Sequence, residues 1–185
     1  MKEELEKKCY IDKVYSFENF ITNESNIEIF ELLKNYPNIT VKYNPIVIEG
    51  TFGTGKTHLL NAFKNQYSDK YNIKIVDCFD FAYDLTNNLA NKTMNTFLEE
   101  YDSADILCID NITFLSDRET TQEYLSQIID KYTRNNQQVI ITITSELSIG
   151  FLEMLKSKIH QGMKFIIFQE NKDSSVDFKI KREKL

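Results

Sequence analysis

Apolar and polar positions along the chain predict strands that alternate with helices. Apolar runs with the length and spacing of strands lie at 45–48, 72–78, 104–109, 139–144 and 163–168. Apolar residues three or four positions apart predict helices at 27–33, 58–63, 79–101, 120–132 and 151–159, the third being one or two helices with polar breaks at 87–88 and 91–92. Three of the strands are nearly continuous apolar runs, which is typical of a parallel sheet covered on both faces. The pattern therefore predicts an α/β fold with a five-stranded parallel sheet between helices.

The segment after the first predicted strand reads GTFGTGKT at residues 50–57. It meets every position of the phosphate-binding P-loop pattern GxxxxGK[ST]. Backbone N–H groups must approach phosphate closely in such a loop, which is what its three glycines allow: Gly50, Gly53 and Gly55. Lys56 can reach the β- and γ-phosphates, and the Thr57 hydroxyl is placed to coordinate Mg²⁺. A glycine-rich turn that matches by chance is the weaker interpretation, because the flanking strand and helix are also present.

Polar residues follow two further predicted strands. Asp110 directly follows the apolar strand at 104–109, at the position where a P-loop protein presents a carboxylate to the metal ion. Many P-loop ATPases have a second carboxylate next, which orients the attacking water, but this chain has Asn111, and an amide cannot act as a general base. Thr144 and Ser145 end the fourth predicted strand. Their hydroxyls either lie beside the P-loop or cap the next helix, and the sequence does not decide between these two interpretations.

Composition restricts the kind of protein this is. The chain has 185 residues, 42% of them hydrophobic, enough for one domain with its own core. The net charge of −6 and the pI near 5.1 predict weak or no direct binding to DNA and no broad attraction to an anionic membrane. The three cysteines lack metal-binding spacing, and the charged first residues are unlike a signal peptide. Together these features predict a cytoplasmic protein without a membrane segment.

Five motifs, in order, resemble the AAA+ ATPase domain of the bacterial replication initiator DnaA family. The resemblance covers about residues 15–170. The first three motifs are an aromatic segment with the residues after it at 15–26, the strand and P-loop at 43–60, and the run ending in Asp110 with its continuation at 104–123. The other two are ITSE at 143–146 and LKSKIHQG at 155–162. The resemblance implies an αβα core that binds ATP or ADP with Mg²⁺.

The resemblance also implies roles for individual residues. The residues that would contact the nucleotide are Gly50, Thr51, Phe52, Gly53, Thr54, Gly55, Lys56, Thr57 and His58, with Tyr15 and Phe20 near the adenine. The metal ligands would be Thr57 and Asp110. The residues with catalytic roles would be Asp110, Asn111, Thr144 and Lys158. The family's arginine finger falls at Lys158, and lysine lacks the planar fork that spreads over phosphate oxygens. With Asn111 as well, we expect hydrolysis to be weak or partner-dependent.

The boundaries follow from the same resemblance. We expect a charged lead-in over 1–14, the nucleotide-binding core over 15–170, and a tail or the start of a lid helix over 171–185. The family's three-helix lid, its sensor 2 arginine and its DNA-binding domain are expected to be absent. In the family, helices between the second and third strands help to bind single-stranded DNA. Across 79–100 of this sequence, Lys92 is the one basic residue. This again predicts weak or no DNA binding.

Three functional hypotheses remain open at this point. The leading one is a DnaA-like module that binds ATP or ADP and acts in or regulates replication initiation, through contacts with another AAA+ replication protein or with itself. One alternative is an active ATPase of the helicase-loader type, similar to DnaC and IstB, and the other is a degenerate scaffold without nucleotide. The active ATPase is disfavoured by Asn111 and Lys158, which stand where a carboxylate and an arginine are expected. The scaffold is disfavoured by the intact P-loop and Asp110.

Overall fold

The computed structural model describes residues 15–36, 44–144, 147 and 150–169. The predicted lead-in over 1–14, the tail over 171–185 and Ser145 lie outside these residues, so the predictions made for them stay predictions. Among the helices that the structure describes, none combines the length and the apolar character needed to cross a lipid bilayer.

A five-stranded sheet forms the middle of the domain. Its strands are β1 (Ile46–Glu49), β2 (Ile73–Asp77), β3 (Ile106–Asp110), β4 (Gln138–Ile143) and β5 (Met163–Ile166). The strands lie in the order β2-β3-β4-β1-β5, and every neighbouring pair is parallel. The prediction of a five-stranded parallel sheet is confirmed. Because all strands point the same way, the loops after β1, β3 and β4 meet at one edge, the carboxyl edge of the sheet.

Helices connect the strands and cover the sheet. They are α1 (Ile27–Lys34), α2 (Lys56–Tyr67), α3 (Cys78–Asn91), α4 (Met94–Asp102), α5 (Glu119–Arg134) and α6 (Glu153–His160), with a 3-10 helix at Ile112–Leu115. The predicted break at 91–92 is confirmed, since α3 ends at Asn91 and its C-cap, Lys92, has the left-handed conformation. The predicted break at 87–88 is wrong: α3 continues because the Asn88 amide bonds the Asp84 carbonyl one turn earlier, and the apolar face of α3 stays buried.

The core has two layers, one on each face of the sheet. One layer packs α3, α4, α5 and α6 against inward residues such as Val47, Ile109 and Ile141. The other packs α1, α2 and the aromatic segment, residues 15–21, against residues such as Ile48 and Ile140. Neighbouring strand positions therefore bury opposite faces, as expected for a sheet between helices. Cys108 lies in this core and burial raises the pKa of its thiol, so it acts as a small apolar residue.

Gln122 of α5 holds together the loops at the carboxyl edge. Its side chain is fully buried, and Nε2 donates hydrogen bonds to the carbonyls of Leu115 at 2.8 Å and Gly150 at 2.7 Å. Its Oε1 accepts from the Leu152 N–H at 2.7 Å. One amide thus bonds three backbone groups of two different loops. The two carbonyls also accept backbone N–H groups within these loops, so the Leu152 N–H is the group that depends most on Gln122.

We expect Gln122→Leu to lower the free energy of unfolding by about 2 kcal/mol, because the Leu152 N–H loses its partner and the carbonyls of Leu115 and Gly150 each lose one of two hydrogen bonds. Urea unfolding followed by circular dichroism measures the change. The matched control is Gln127→Leu, at an exposed position of the same helix, for which a change within about 0.5 kcal/mol is expected. Equal effects of the two substitutions would contradict this assignment.

Candidate functional site

The P-loop follows β1 at the carboxyl edge of the sheet and leads directly into α2. Gly53 and Gly55 have φ angles of +80° and +94°, in the left-handed region that other residues rarely adopt, and Gly55 is the N-cap of α2. Gly50 needs its small size for another reason: a Cβ there would lie 2.4 Å from the carbonyl oxygen of Ile167. Thr54 stabilises the loop through a hydrogen bond of 2.9 Å from its hydroxyl to the Thr51 carbonyl. The loop therefore takes the bent form that exposes backbone N–H groups at a helix N-terminus.

Lys56 lies folded against this loop. Its Nζ donates to the carbonyls of Gly50 at 2.5 Å and Thr51 at 2.8 Å, and the side chain is buried. Burial lowers the pKa of Lys56, while the nearby carboxylate of Asp110 raises it. The ammonium is therefore a desolvated cation held at the loop by neutral carbonyls, which is a favourable arrangement for an incoming anion.

Thr57 and Asp110 meet beside the loop, although they are far apart in sequence. The Thr57 hydroxyl, in the first turn of α2, donates a hydrogen bond of 2.7 Å to Asp110 Oδ2, at the end of β3. The hydroxyl of Thr142, on β4, donates to the other carboxylate oxygen. Asp110 is buried, with 7% of its surface exposed. The predicted pair of metal ligands is thus assembled on adjacent elements of the fold.

Asn111 follows in the left-handed conformation, with φ 58° and ψ 51°. Asparagine is among the few residues that adopt this conformation readily. Its N–H donates to Thr142 Oγ1 at 2.8 Å, and its side-chain Oδ1 accepts from the Thr144 hydroxyl at 3.1 Å. Thr113 accepts in turn from the Thr144 N–H at 3.0 Å. The structure therefore brings the predicted residues Asp110, Asn111 and Thr144 together in one network.

A pocket of about 410 Å³ opens between this network and the P-loop, and the residues that line it are Thr51, Phe52, Asn111, Thr113, Phe114 and Thr144. Phe52 is 81% exposed although it is a large aromatic residue within the P-loop. The pocket therefore joins the carboxyl ends of β1, β3 and β4, which is where ligands of parallel sheets bind.

The aromatic segment lies along α2 and is attached to it through His58. The His58 ring lies 5.2 Å from the rings of both Tyr15 and Phe20, in edge contacts, and its Nε2 is 2.9 Å from the Ser16 carbonyl. Phe20 also contacts the P-loop, because a Cβ on Gly55 would lie 2.7 Å from its ring. Tyr15, Phe20 and His58 thus form one cluster at the start of α2, and their contact with adenine stays a prediction.

Lys158 lies on α6 and donates to the carboxylate of Asp130 on α5. The ammonium is therefore engaged in an ion pair within the chain. Its predicted role in the place of an arginine finger stays a prediction.

Thr142 and Thr113 belong to the candidate site and were not predicted from the sequence. The signal for Thr142 was present, since it is a hydroxyl within the otherwise apolar run 139–143, and β4 is a neighbour of β3. Thr113 carried no such signal, because its position depends on the 3-10 turn after Asn111.

The residues present fit a nucleoside triphosphate with a divalent cation. Thr57 and Asp110 supply oxygen donors, which Mg²⁺ prefers, and Lys56 supplies a cation for phosphate. Within the described ranges, no group of three or more His, Cys, Asp or Glu side chains is arranged to hold a metal ion. A cation here would therefore complete its shell with oxygens of the nucleotide and water. Strand order, P-loop and strand-end carboxylate together define a P-loop protein of the AAA+ class.

Comparisons with known proteins identify the family. The model of the family described as the bacterial DnaA ATPase domain matches residues 11–166. The chromosomal replication initiator protein DnaA of Aquifex aeolicus is 34% identical over 188 residues, covering 100% of this chain and 46% of the relative, and DnaA of Helicobacter acinonychis is 32% identical over 160 residues, covering 84% and 36%. The chain belongs to the family of bacterial DnaA ATPase domains, and it spans less than half the length of these relatives.

Solved structures agree with this assignment. The AMPPCP-bound DnaA from Aquifex aeolicus superposes with a TM-score of 0.79 at 34% identity, over 85% of this chain and 51% of that one. The DnaC helicase loader gives a TM-score of 0.69 over 84% of this chain and 98% of that one, but at 20% identity. The second similarity is one of fold alone.

We expect His58→Ala to detach the aromatic segment from α2, because it removes the Ser16 contact and the surface on which Tyr15 and Phe20 pack. Chymotrypsin, which cuts after aromatic residues, should then cleave within 15–21 about tenfold faster. The control is His160→Ala, which changes the other histidine of the chain, an exposed one on α6. An unchanged cleavage rate in His58→Ala would contradict this role of the ring.

Proposed function

We propose that this chain is a nucleotide-binding module that takes ATP or ADP with Mg²⁺. The observation that carries the proposal is the 2.7 Å hydrogen bond between Thr57 and Asp110, because it brings the P-loop hydroxyl and the β3 carboxylate to one point beside the loop. Lys56 and the loop N–H groups bind phosphate, and Thr57 and Asp110 hold the cation. When bound, Mg²⁺ neutralises phosphate charge. The AMPPCP bound by the Aquifex relative supports the same ligand class.

We propose further that hydrolysis is weak or depends on a partner. Asn111 occupies the position at which a carboxylate would act as a general base, and its Oδ1 accepts the Thr144 hydroxyl. An amide can hold a water molecule by hydrogen bonds but cannot take its proton. Lys158 must leave Asp130 before its ammonium can reach a nucleotide on a neighbouring molecule.

A role in DNA replication initiation, exerted through protein contacts, follows as the proposed biological setting. The DnaA relatives support it, and the partner is another AAA+ replication protein or a second copy of this chain. The exposed Phe52 beside the pocket supports a surface that a partner covers.

Direct binding to DNA is proposed to be weak. Between β2 and β3, over 78–105, Lys92 is the one basic residue, and the acidic residues are Asp80, Asp84, Glu99, Glu100, Asp102 and Asp105. Phosphate backbones bind to clustered lysine and arginine, so this surface repels nucleic acid.

We expect Lys56→Ala to weaken ATP and ADP binding by about 10- to 100-fold, because a charge-assisted hydrogen bond to phosphate is lost. Calorimetric titration with each nucleotide in Mg²⁺ measures the affinity. The control is Lys70→Ala, at an exposed lysine after α2, which should bind as the unaltered protein does. If the unaltered protein bound neither nucleotide at millimolar concentration, the module would be an interaction scaffold instead.

We expect Asn111→Asp to raise phosphate release from ATP by a factor on the order of 10², because it supplies the missing general base. Aspartate also tolerates the left-handed conformation, so the backbone need not change. The control is Asn87→Asp, which makes the same change of charge at an exposed position of α3. Steady release by the unaltered protein, abolished by Lys56→Ala, would favour the loader-type ATPase over the binding module.

A further inference from the structure

Thr142 is a fully buried hydroxyl within residues 139–143 of β4, a run that is otherwise apolar. It lies on β4 with 0% of its surface exposed, between Ile141 and Ile143. A buried hydroxyl costs free energy unless it is hydrogen-bonded, and strand packing alone is served equally well by valine or isoleucine. The hydroxyl at this position therefore needs a reason other than packing.

Its hydrogen bonds connect two residues of the site. Thr142 Oγ1 donates its hydrogen to Asp110 Oδ1 and accepts the Asn111 N–H at 2.8 Å. A hydroxyl has one hydrogen to donate and lone pairs to accept, so both contacts are satisfied at once. The same carboxylate accepts from Thr57 through Oδ2. Two hydroxyls on different elements thus fix the orientation of the Asp110 carboxylate.

We propose that Thr142 is the positioning residue of the metal-binding pair Thr57 and Asp110. Its hydroxyl orients the Asp110 carboxylate and holds the Asn111 backbone at the turn where β3 ends. The proposal rests on the proposed binding of nucleotide with Mg²⁺. Residues that orient a ligand in this way commonly change metal affinity by about 10- to 100-fold when they are replaced.

Thr142 acts differently from Thr144, two positions further along. Thr144 donates to the side chain of Asn111 at the pocket, whereas Thr142 contacts the carboxylate of Asp110 and the backbone beneath it. Replacement of Thr142 leaves a carboxylate oxygen and an N–H without this partner in a buried place. Replacement of Thr144 changes the lining of the pocket instead.

The first test compares Thr142→Val, which removes the hydroxyl, with Thr142→Ser, which keeps it. ATP affinity is measured with Mg²⁺ and with EDTA, and the ratio of the two is the enhancement by Mg²⁺. In Thr142→Val this enhancement should fall about 10- to 100-fold while affinity in EDTA stays within about twofold, and Thr142→Ser should restore it. Thr133→Val, which removes a half-buried hydroxyl on α5, is the matched control and should behave as the unaltered protein does.

A folded Thr142→Val that keeps the full enhancement would overturn the proposal. An equal loss with Mg²⁺ and with EDTA would also overturn it, because that pattern indicates a structural role only. If Thr142→Val does not fold, Thr142→Ala provides a second variant without the hydroxyl.

The second test needs no nucleotide. The Asn111 amide hydrogen should exchange with solvent about tenfold faster in Thr142→Val and at the original rate in Thr142→Ser. If the unaltered protein bound no nucleotide, the proposed function would fail, and Asn111 exchange would still decide whether Thr142 positions this turn. Unchanged exchange in Thr142→Val would overturn the proposal on its own.

Discussion

The buried carboxylate of Asp110 is the constraint on which the rest of the site depends. A charge in this position is tolerated only where hydrogen bonds replace the water it has lost. The partners come from α2, through Thr57, and from β4, through Thr142, so the charge is stabilised only when β3 has both neighbours in place. The hydrogen bonds of the Asp110 side chain therefore depend both on the order of the strands and on the position of the P-loop. Lys56 lies near enough for its positive charge to interact with the Asp110 carboxylate, so the two charges at this edge of the sheet partly offset each other.

The conformation of Asn111 bears on the proposal that this chain binds nucleotide without a catalytic carboxylate at this position. The left-handed turn that ends β3 favours asparagine and aspartate over most other residues, so exchange between these two leaves the backbone intact. Asp110 keeps its contacts in either case, because they involve other atoms. The amide of Asn111 accepts from Thr144 where a carboxylate would also accept. Under the proposed function, nucleotide binding and hydrolysis therefore depend on neighbouring residues that can change independently.

The sequence predicted the fold well because its main signals are local. Strand and helix periodicity predicted the five parallel strands, and the GxxxxGK[ST] pattern predicted the P-loop, in which Gly53 and Gly55 have positive φ. The break at 87–88 was wrong because Asn88 bonds the helix backbone, which propensity alone does not reveal. The contact of Phe20 with Gly55 joins residues on different elements, so it could not be inferred from spacing. Thr142 was within reach, since a hydroxyl in an apolar strand beside β3 requires a partner.

The ion pair between Lys158 and Asp130 affects how a partner could act on this site. An ion pair that is partly screened by solvent contributes little to stability, so Lys158 can exchange Asp130 for another anion at small cost. An arginine from a partner would bind phosphate oxygens in two places at once, which lysine cannot do. The net charge of −6 favours a partner with a basic contact surface over nucleic acid, whose phosphates it repels. The proposed nucleotide-binding module, with lysine where the family resemblance places an arginine, is thus suited to respond to a neighbour that supplies one.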